Sequence, residues 1–350
     1  MRVRGPLAPG VLRKFARTGP RHTDDEADQS GSARATSASR CDLSAQVGSV
    51  RLPNPVMTAA GTSGHGAELA GYFDLGELGA IVVKSLSAEP WEGNPAPRVS
   101  EVDAGMINSV GLQNAGIDHW IANDLPKLRA ANARIVVSVW GFSIDAYEKV
   151  ARALRGVAGL TAVEVNVSCP NIEDRRHMFA HSPEGTTEVL KAVRSGLGSR
   201  GGETGLPIWA KLSPNVTSLT DICGAALDAG AEALTLTNTV MGMRIDVESR
   251  RPALGAGGGG LSGPAIRPVA VRAVYETRKM FPNAPIIGVG GVAHGVDAVE
   301  FLLAGANAIE VGTATFYSPT APLRVRNELQ AWCEKHHVNT LNELIGAAHG

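Results

Sequence analysis

The chain has 350 residues, with 33 Lys+Arg against 34 Asp+Glu for a formal charge of −1, and 44% of its residues are hydrophobic. That balance argues against a nucleic-acid or anionic-membrane binder, which shows a clustered basic excess, and it leaves ample apolar material for a core. The four cysteines (41, 169, 223 and 333) include no Cys-x-x-Cys pair, which argues against a disulfide scaffold, a zinc ribbon or an iron–sulfur cluster held by this chain alone.

Residues 1–46 read as a flexible Arg/Ser/Gly-rich tail. The first forty carry eight Lys/Arg, four Asp/Glu and few aliphatics, too little apolar surface to offset the entropy of ordering. No apolar core of about 7–15 residues follows the basic start, so no secretory signal is expected. Nor is there a run of about 18 apolar residues to span a membrane. A soluble cytoplasmic protein is expected.

From Val47 a rhythm sets in. Short runs rich in β-branched residues recur at 55–61 (PVMTAAG), 80–85 (AIVVKS), 134–140 (RIVVSVW), 162–168 (AVEVNVS), 207–213 (PIWAKLS), 233–239 (ALTLTNT), 285–291 (PIIGVGG) and 308–314 (AIEVGTA). Near-continuous apolar strands imply burial on both faces and hence a parallel sheet. Helical spacing of apolar residues falls between them, at 146–154, 184–197, 219–229, 265–280 and 296–304. Eight such units over 47–338 predict a (β/α)8 barrel, a doubly wound sheet being the alternative. Residues 339–350 are expected to form a C-terminal helix or tail. The Gly-rich segment 255–260 within 240–263 reads as a flexible loop over the barrel mouth.

Reactive residue types cluster at the predicted C-terminal strand ends, where barrel sites form. They are Lys84-Ser85, Asn166 with Cys169 and Asn171, Lys211, Thr237-Asn238-Thr239, Gly290-Gly291 and Gly312-Thr313. Two lysines in one cavity need an anionic partner. Asparagine amides suit a planar polar ligand, and glycine turns after the last two strands match the usual barrel phosphate site. Each feature has a plainer explanation when taken alone. A single cysteine is most often a small buried hydrophobe, and Gly-Gly is most often a turn. The scattered histidines form no metal motif.

Several segments in order, 54–61 (NPVMTAAG), 92–98 (EGNPAPR), 107–114 (INSVGLQN), 162–171 (AVEVNVSCPN), 210–216 (AKLSPNV), 237–242 (TNTVMG) and 258–268 (GGGLSGPAIRP), together resemble the class 1 dihydroorotate dehydrogenases, their B-type catalytic subunit most of all. The resemblance implies a barrel holding FMN. On it, Ala59, Ala60, Gly61, Lys84, Ser85, Ser138, Asn166, Lys211, Thr237, Gly263, Gly290, Gly291, Gly312 and Thr313 would contact the cofactor. Lys84, Asn108, Ser109, Val110, Gly111, Leu112, Asn166, Asn171, Asn238 and Thr239 would contact the substrate, and Cys169 would be the base. No metal ligand is implied. The implied partner is an electron-transfer subunit carrying FAD and a 2Fe–2S cluster, in a homodimer or heterotetramer.

Two departures from that pattern stand out. Ser138 replaces the asparagine common at the end of strand three, and Arg175-Arg176 stands where Gly-Gly is usual. The alternatives are a flavin oxidoreductase of the dihydropyrimidine dehydrogenase type, a paralogue with altered substrate, and a colourless sugar-phosphate lyase or isomerase. Asn171, where the dihydropyrimidine dehydrogenases have His, favours orotate chemistry.

Overall fold

In a computed structural model the described residues are 40–168, 179–198 and 205–350. Cys169, Asn171, Arg175, Arg176 and residues 1–39 lie outside them. Eight parallel strands form one sheet: β1 (Val56–Thr58), β2 (Ile81–Val82), β3 (Ile135–Val139), β4 (Leu160–Asn166), β5 (Ile208–Lys211), β6 (Ala233–Leu236), β7 (Ile286–Val289) and β8 (Ala308–Val311). Their spatial order runs β1-β8-β7-β6-β5-β4-β3-β2. A parallel bridge between Met57 and Ala80 brings β2 back to β1. The fold is therefore the expected (β/α)8 barrel. All eight predicted runs contain a strand because each is apolar on both faces, as the fully buried β3 illustrates.

Helices α1 (Ile117–Asn123) and α2 (Leu125–Ala130) follow β2. Five more, α3 (Ile144–Ala153), α4 (Pro183–Leu197), α5 (Leu219–Asp228), α6 (Arg267–Met280) and α7 (Gly295–Ala304), follow β3 to β7. Helices α8 (Ala314–Tyr317) and α9 (Ala321–Lys335) follow β8. Only the 3-10 turns Glu68–Gly71 and Leu75–Glu77 join β1 to β2. Local chemistry sets these boundaries. Ser143 and Ser182 cap α3 and α4 by accepting from the N–H groups of Ala146 and Gly185. Gly305 ends α7 at φ 119°, in the left-handed region that glycine adopts without strain.

Two expectations are corrected. Residues 41–46 are not tail. Cys41, Leu43 and Ala45 are buried, Ala45–Val47 pairs with Val50–Leu52, and Asp42 bridges Thr340. Alternating apolar residues in a mostly polar stretch suffice once a partner strand is available. The same contact ties down the C-terminal segment. It forms 3-10 turns at Leu341–Glu343 and Ala347–His349 and buries Leu341 and Leu344. The segment 240–263 is also more ordered than its glycines suggest. Val240–Gly242 and Gly259–Ser262 join Gly105–Asn108 and Val99–Val102 in a four-stranded antiparallel sheet. Its glycines permit close approach: a Cβ on Gly259 would overlap the Asn108 carbonyl, and one on Gly260 would overlap Thr239.

Candidate active site

A cavity of about 500 Å³ opens between the C-terminal strand ends and this antiparallel sheet. Every predicted site residue within the described part lines it, except Ser138. Ala59, Ala60 and Gly61 come from the end of β1, Lys84 and Ser85 from the end of β2, Asn166 and Lys211 from β4 and β5, and Thr237, Asn238 and Thr239 from the end of β6. Asn108, Ser109, Val110, Gly111 and Leu112 form the opposite wall. Ser138 lies behind the wall, fully buried at the end of β3, with its Oγ 2.8 Å from Ser85 Oγ. It can orient Ser85 but does not reach the cavity surface, because serine is too short to pass it.

Gly263, Gly290, Gly291, Gly312 and Thr313 close one end. Gly263 (φ 95°) and Gly291 (φ 75°) sit in the left-handed region, and a Cβ on Gly291 would lie 2.7 Å from the Gly263 carbonyl oxygen. Only glycine allows the loops after β6 and β7 to touch in this way. Thr313 Oγ1 donates to Ser262 Oγ at 2.8 Å, fastening the turn after β8 to the antiparallel sheet.

The polar groups between these ends form a short network. Asn238 Nδ2 donates to Asn166 Oδ1 (3.2 Å), which also accepts from the Ser168 N–H (3.1 Å). Asn238 Oδ1 accepts from the Thr239 N–H at 2.8 Å. Buried Thr237 Oγ1 and Ser168 Oγ have no protein partner among the described residues, so each is a hydroxyl to be satisfied by something placed in the cavity.

The two lysines differ sharply. Among the described residues Lys84 makes no ion pair, and burial together with the nearby Arg98 pushes its ammonium below the ordinary lysine range. Lys211 already has its anions. Its Nζ is 2.9 Å from Glu310 Oε2 and 3.5 Å from Glu164 Oε1, and all three side chains are buried. Burial alone would lower Lys211, but the two glutamates outweigh it and hold the group up at about 12.

Glu164 and Glu310 were missed in the sequence, although a signal exists. Each stands in an otherwise apolar strand two residues before a site residue, Asn166 and Gly312, so each shares that residue's inward face. Met106, Ile266, Val289 and Phe316 supply apolar wall that was not among the predicted site residues. A more open cleft of about 830 Å³ adjoins the cavity through Gly61, Thr62, Lys84 and Phe316.

A barrel with convergent polar groups, a cation that has no ion pair among the described residues and a glycine cradle at its C-terminal mouth is the arrangement of a (β/α)8 enzyme that acts on a small anionic ligand. Comparison with known proteins narrows the class. The family model described as dihydroorotate dehydrogenase matches residues 42–332. The dihydroorotate dehydrogenase B (NAD(+)) catalytic subunits of Geobacter sp. (strain M21) and Desulforudis audaxviator are 45% and 46% identical, over 88% and 87% of this chain and 98% and 96% of theirs. A crystal structure of DHODH in complex with ferulenol from Eimeria tenella shares the fold, with a TM-score of 0.72 at 24% identity, covering 88% of this chain and 89% of that one. The chain belongs to the dihydroorotate dehydrogenase family, on its class 1 B-type branch, and is an oxidoreductase.

Proposed function

We propose that this chain oxidises (S)-dihydroorotate to orotate, a step of de novo pyrimidine (UMP) biosynthesis, with FMN held in the 500 Å³ cavity. The observation that carries this reading is Lys84, an ammonium without a carboxylate partner among the described residues, on the same cavity as Asn108, Asn166 and Asn238. An unpaired, half-buried cation favours an anion, here the orotate carboxylate. Three amides offer donors and acceptors to a planar imide without adding charge.

The residues present fit FMN. The cavity lies within the range of small-molecule sites, and the positive-φ glycines 263, 290 and 291 let backbone approach a phosphate closely. Thr237 Oγ1 is a buried hydroxyl without a protein partner among the described residues. Ala59, Ala60 and Gly61 leave room for a flat ring. When bound, FMN supplies a hydride acceptor at its N5 for the C6 hydrogen of the substrate.

The chain's own groups do the rest. Lys84 orients the carboxylate. Asn166 and Asn238, held together by their mutual hydrogen bond, present their amides to the ring edge. Cys169, outside the described residues, takes the C5 proton as thiolate. Asn171, likewise outside the described residues, binds the same ring. Electrons then leave to a second subunit carrying FAD and a 2Fe–2S cluster, and thence to NAD⁺. This rests on the resemblance to B-type catalytic subunits and on the lack of cysteine clustering in this chain.

Purification of the chain from an expressing cell tests this. A yellow protein whose flavin bleaches on adding dihydroorotate, and no longer does so in Cys169→Ser, is the expected result. A colourless protein excludes the flavin reading and favours a lyase or isomerase. Tighter binding of uracil than of orotate favours the dihydropyrimidine dehydrogenase type. Efficient NAD⁺ reduction without a second protein removes the partner.

A further inference from the structure

In an eight-stranded barrel the inward side chains of alternate strands stack in layers of four, normally filled by Val, Ile or Leu. Here two inward positions of one layer, on the even strands β4 and β8, carry Glu164 and Glu310, both fully buried. Among the described residues a single cation reaches them. Lys211 Nζ lies 2.9 Å from Glu310 and 3.5 Å from Glu164. The residues in register on the flanking strands are Ser138 and Trp209 beside Glu164, and Met57 and Val289 beside Glu310. None of them can neutralise a second negative charge. Among the described residues the core here therefore holds one ammonium and two carboxyl groups.

We propose that Glu164 and Glu310 hold one proton between them and act as positioning residues, fixing the Lys211 ammonium at the floor of the cavity in a triad with no net charge. Three observations point the same way. An uncompensated carboxylate at complete burial is costlier than a protonated one. Glu164 Oε2 and Glu310 Oε1 lack a donor among the described residues when taken as carboxylates, and Glu164 Oε1 has only the 3.5 Å contact with Lys211, whereas a single proton turns one of them into a donor for another. Burial and the adjacent Glu164 also push the Glu310 carboxyl well above the usual range. The net positive charge presented to a bound anion then comes from Lys84, while Lys211 offers directed N–H donors.

The consequence for a bound flavin rests on the FMN reading above, whereas the shared proton does not. The test is the midpoint potential of the bound flavin in the holoenzyme. Glu164→Gln or Glu310→Gln alone removes the shared proton's site and leaves one carboxylate facing Lys211, so the net charge and the potential stay as in the parent. The double substitution leaves Lys211 unbalanced and shifts the potential upward. Singles that each shift it upward, by about half as far as the double, would show that both carboxyl groups are ionised, and would overturn the proposal.

Infrared spectroscopy of the unsubstituted protein gives a second readout that needs no flavin and no variant to fold. A protonated-carboxyl carbonyl band that moves in D₂O is expected, and where either single variant folds the band is lost. Absence of the band in the parent protein overturns the proposal. Absence of bound flavin with the band present counts only against the FMN reading.

Discussion

Asn238 Nδ2 lies 3.2 Å from Asn166 Oδ1, joining the ends of β6 and β4 through the two amides that face the cavity. The bond fixes which way each amide points, because Asn238 Oδ1 is committed to the Thr239 N–H and Asn166 Oδ1 to the Ser168 N–H. Replacing Asn238 by alanine therefore misaligns Asn166 as well as removing one amide. Loss of a buried hydrogen-bond partner costs about 1–3 kcal/mol. Orotate affinity in Asn238→Ala, measured by calorimetric titration, is expected to fall about tenfold or more. Unchanged affinity would separate this amide pair from the ligand site.

The two lysines predict opposite phenotypes. Lys84→Met leaves no buried anion behind, so the fold should hold while binding of carboxylate ligands is weakened. Lys211→Met strands Glu164 and Glu310, and breaking a buried ion pair in this way costs about 3–5 kcal/mol. Thermal unfolding of the two variants beside orotate titration distinguishes them.

Lys84 also sets a pH dependence. Its ammonium is held below the ordinary lysine range by burial and Arg98. Anion binding needs the charged form, so orotate affinity is expected to be constant at low and neutral pH. It should fall as pH rises through the lowered value, earlier than an ordinary lysine would dictate. Since the folded state binds this proton less readily than the unfolded chain, Lys84 makes stability rise with pH across the same window. Lys211, held up at about 12, stays charged throughout. Affinity measured against pH in the parent and in Lys84→Met checks the sign, and the alkaline fall should vanish in the variant.

Cysteine labelling gives an independent check on the proposed base. Cys223 and Cys333 are fully buried, and burial pushes both thiols up to about 12. Thiols in that state are neither accessible nor ionised at neutral pH. Iodoacetamide should leave both unmodified in the folded protein, while alkylation of Cys169 abolishes dihydroorotate oxidation. Mass-spectrometric mapping after partial inactivation reads the outcome directly.

The C-terminal turn is a structural element. Leu341 and Leu344 are 1% and 5% exposed, and the Asp42 N–H donates to the Asn339 carbonyl at 2.8 Å. Deleting residues 339–350 exposes the apolar surface under two leucines, a loss of about 3–6 kcal/mol as an upper estimate. A clearly lower melting temperature is expected, with the cavity residues untouched.

Strand placement was legible in the amino-acid order because a parallel barrel strand is buried on both faces. A run such as 134–140 therefore has no polar alternation to mislead. The cavity wall followed from the rule that side chains at the C-terminal strand ends converge, and Lys84, Asn166 and Asn238 were found on that basis. Tertiary structure alone decided what each charge faces. Lys84 and Lys211 look alike in the sequence, yet Lys211 is neutralised by Glu310, 99 positions away and three strands along the barrel sheet. The Gly-rich stretch 255–263 and the segment 41–46 became ordered for the same reason. Their partners, Gly105–Asn108 for one and Thr340 for the other, are distant in sequence, and local propensity says nothing about a hydrogen-bonding edge that only the completed barrel provides.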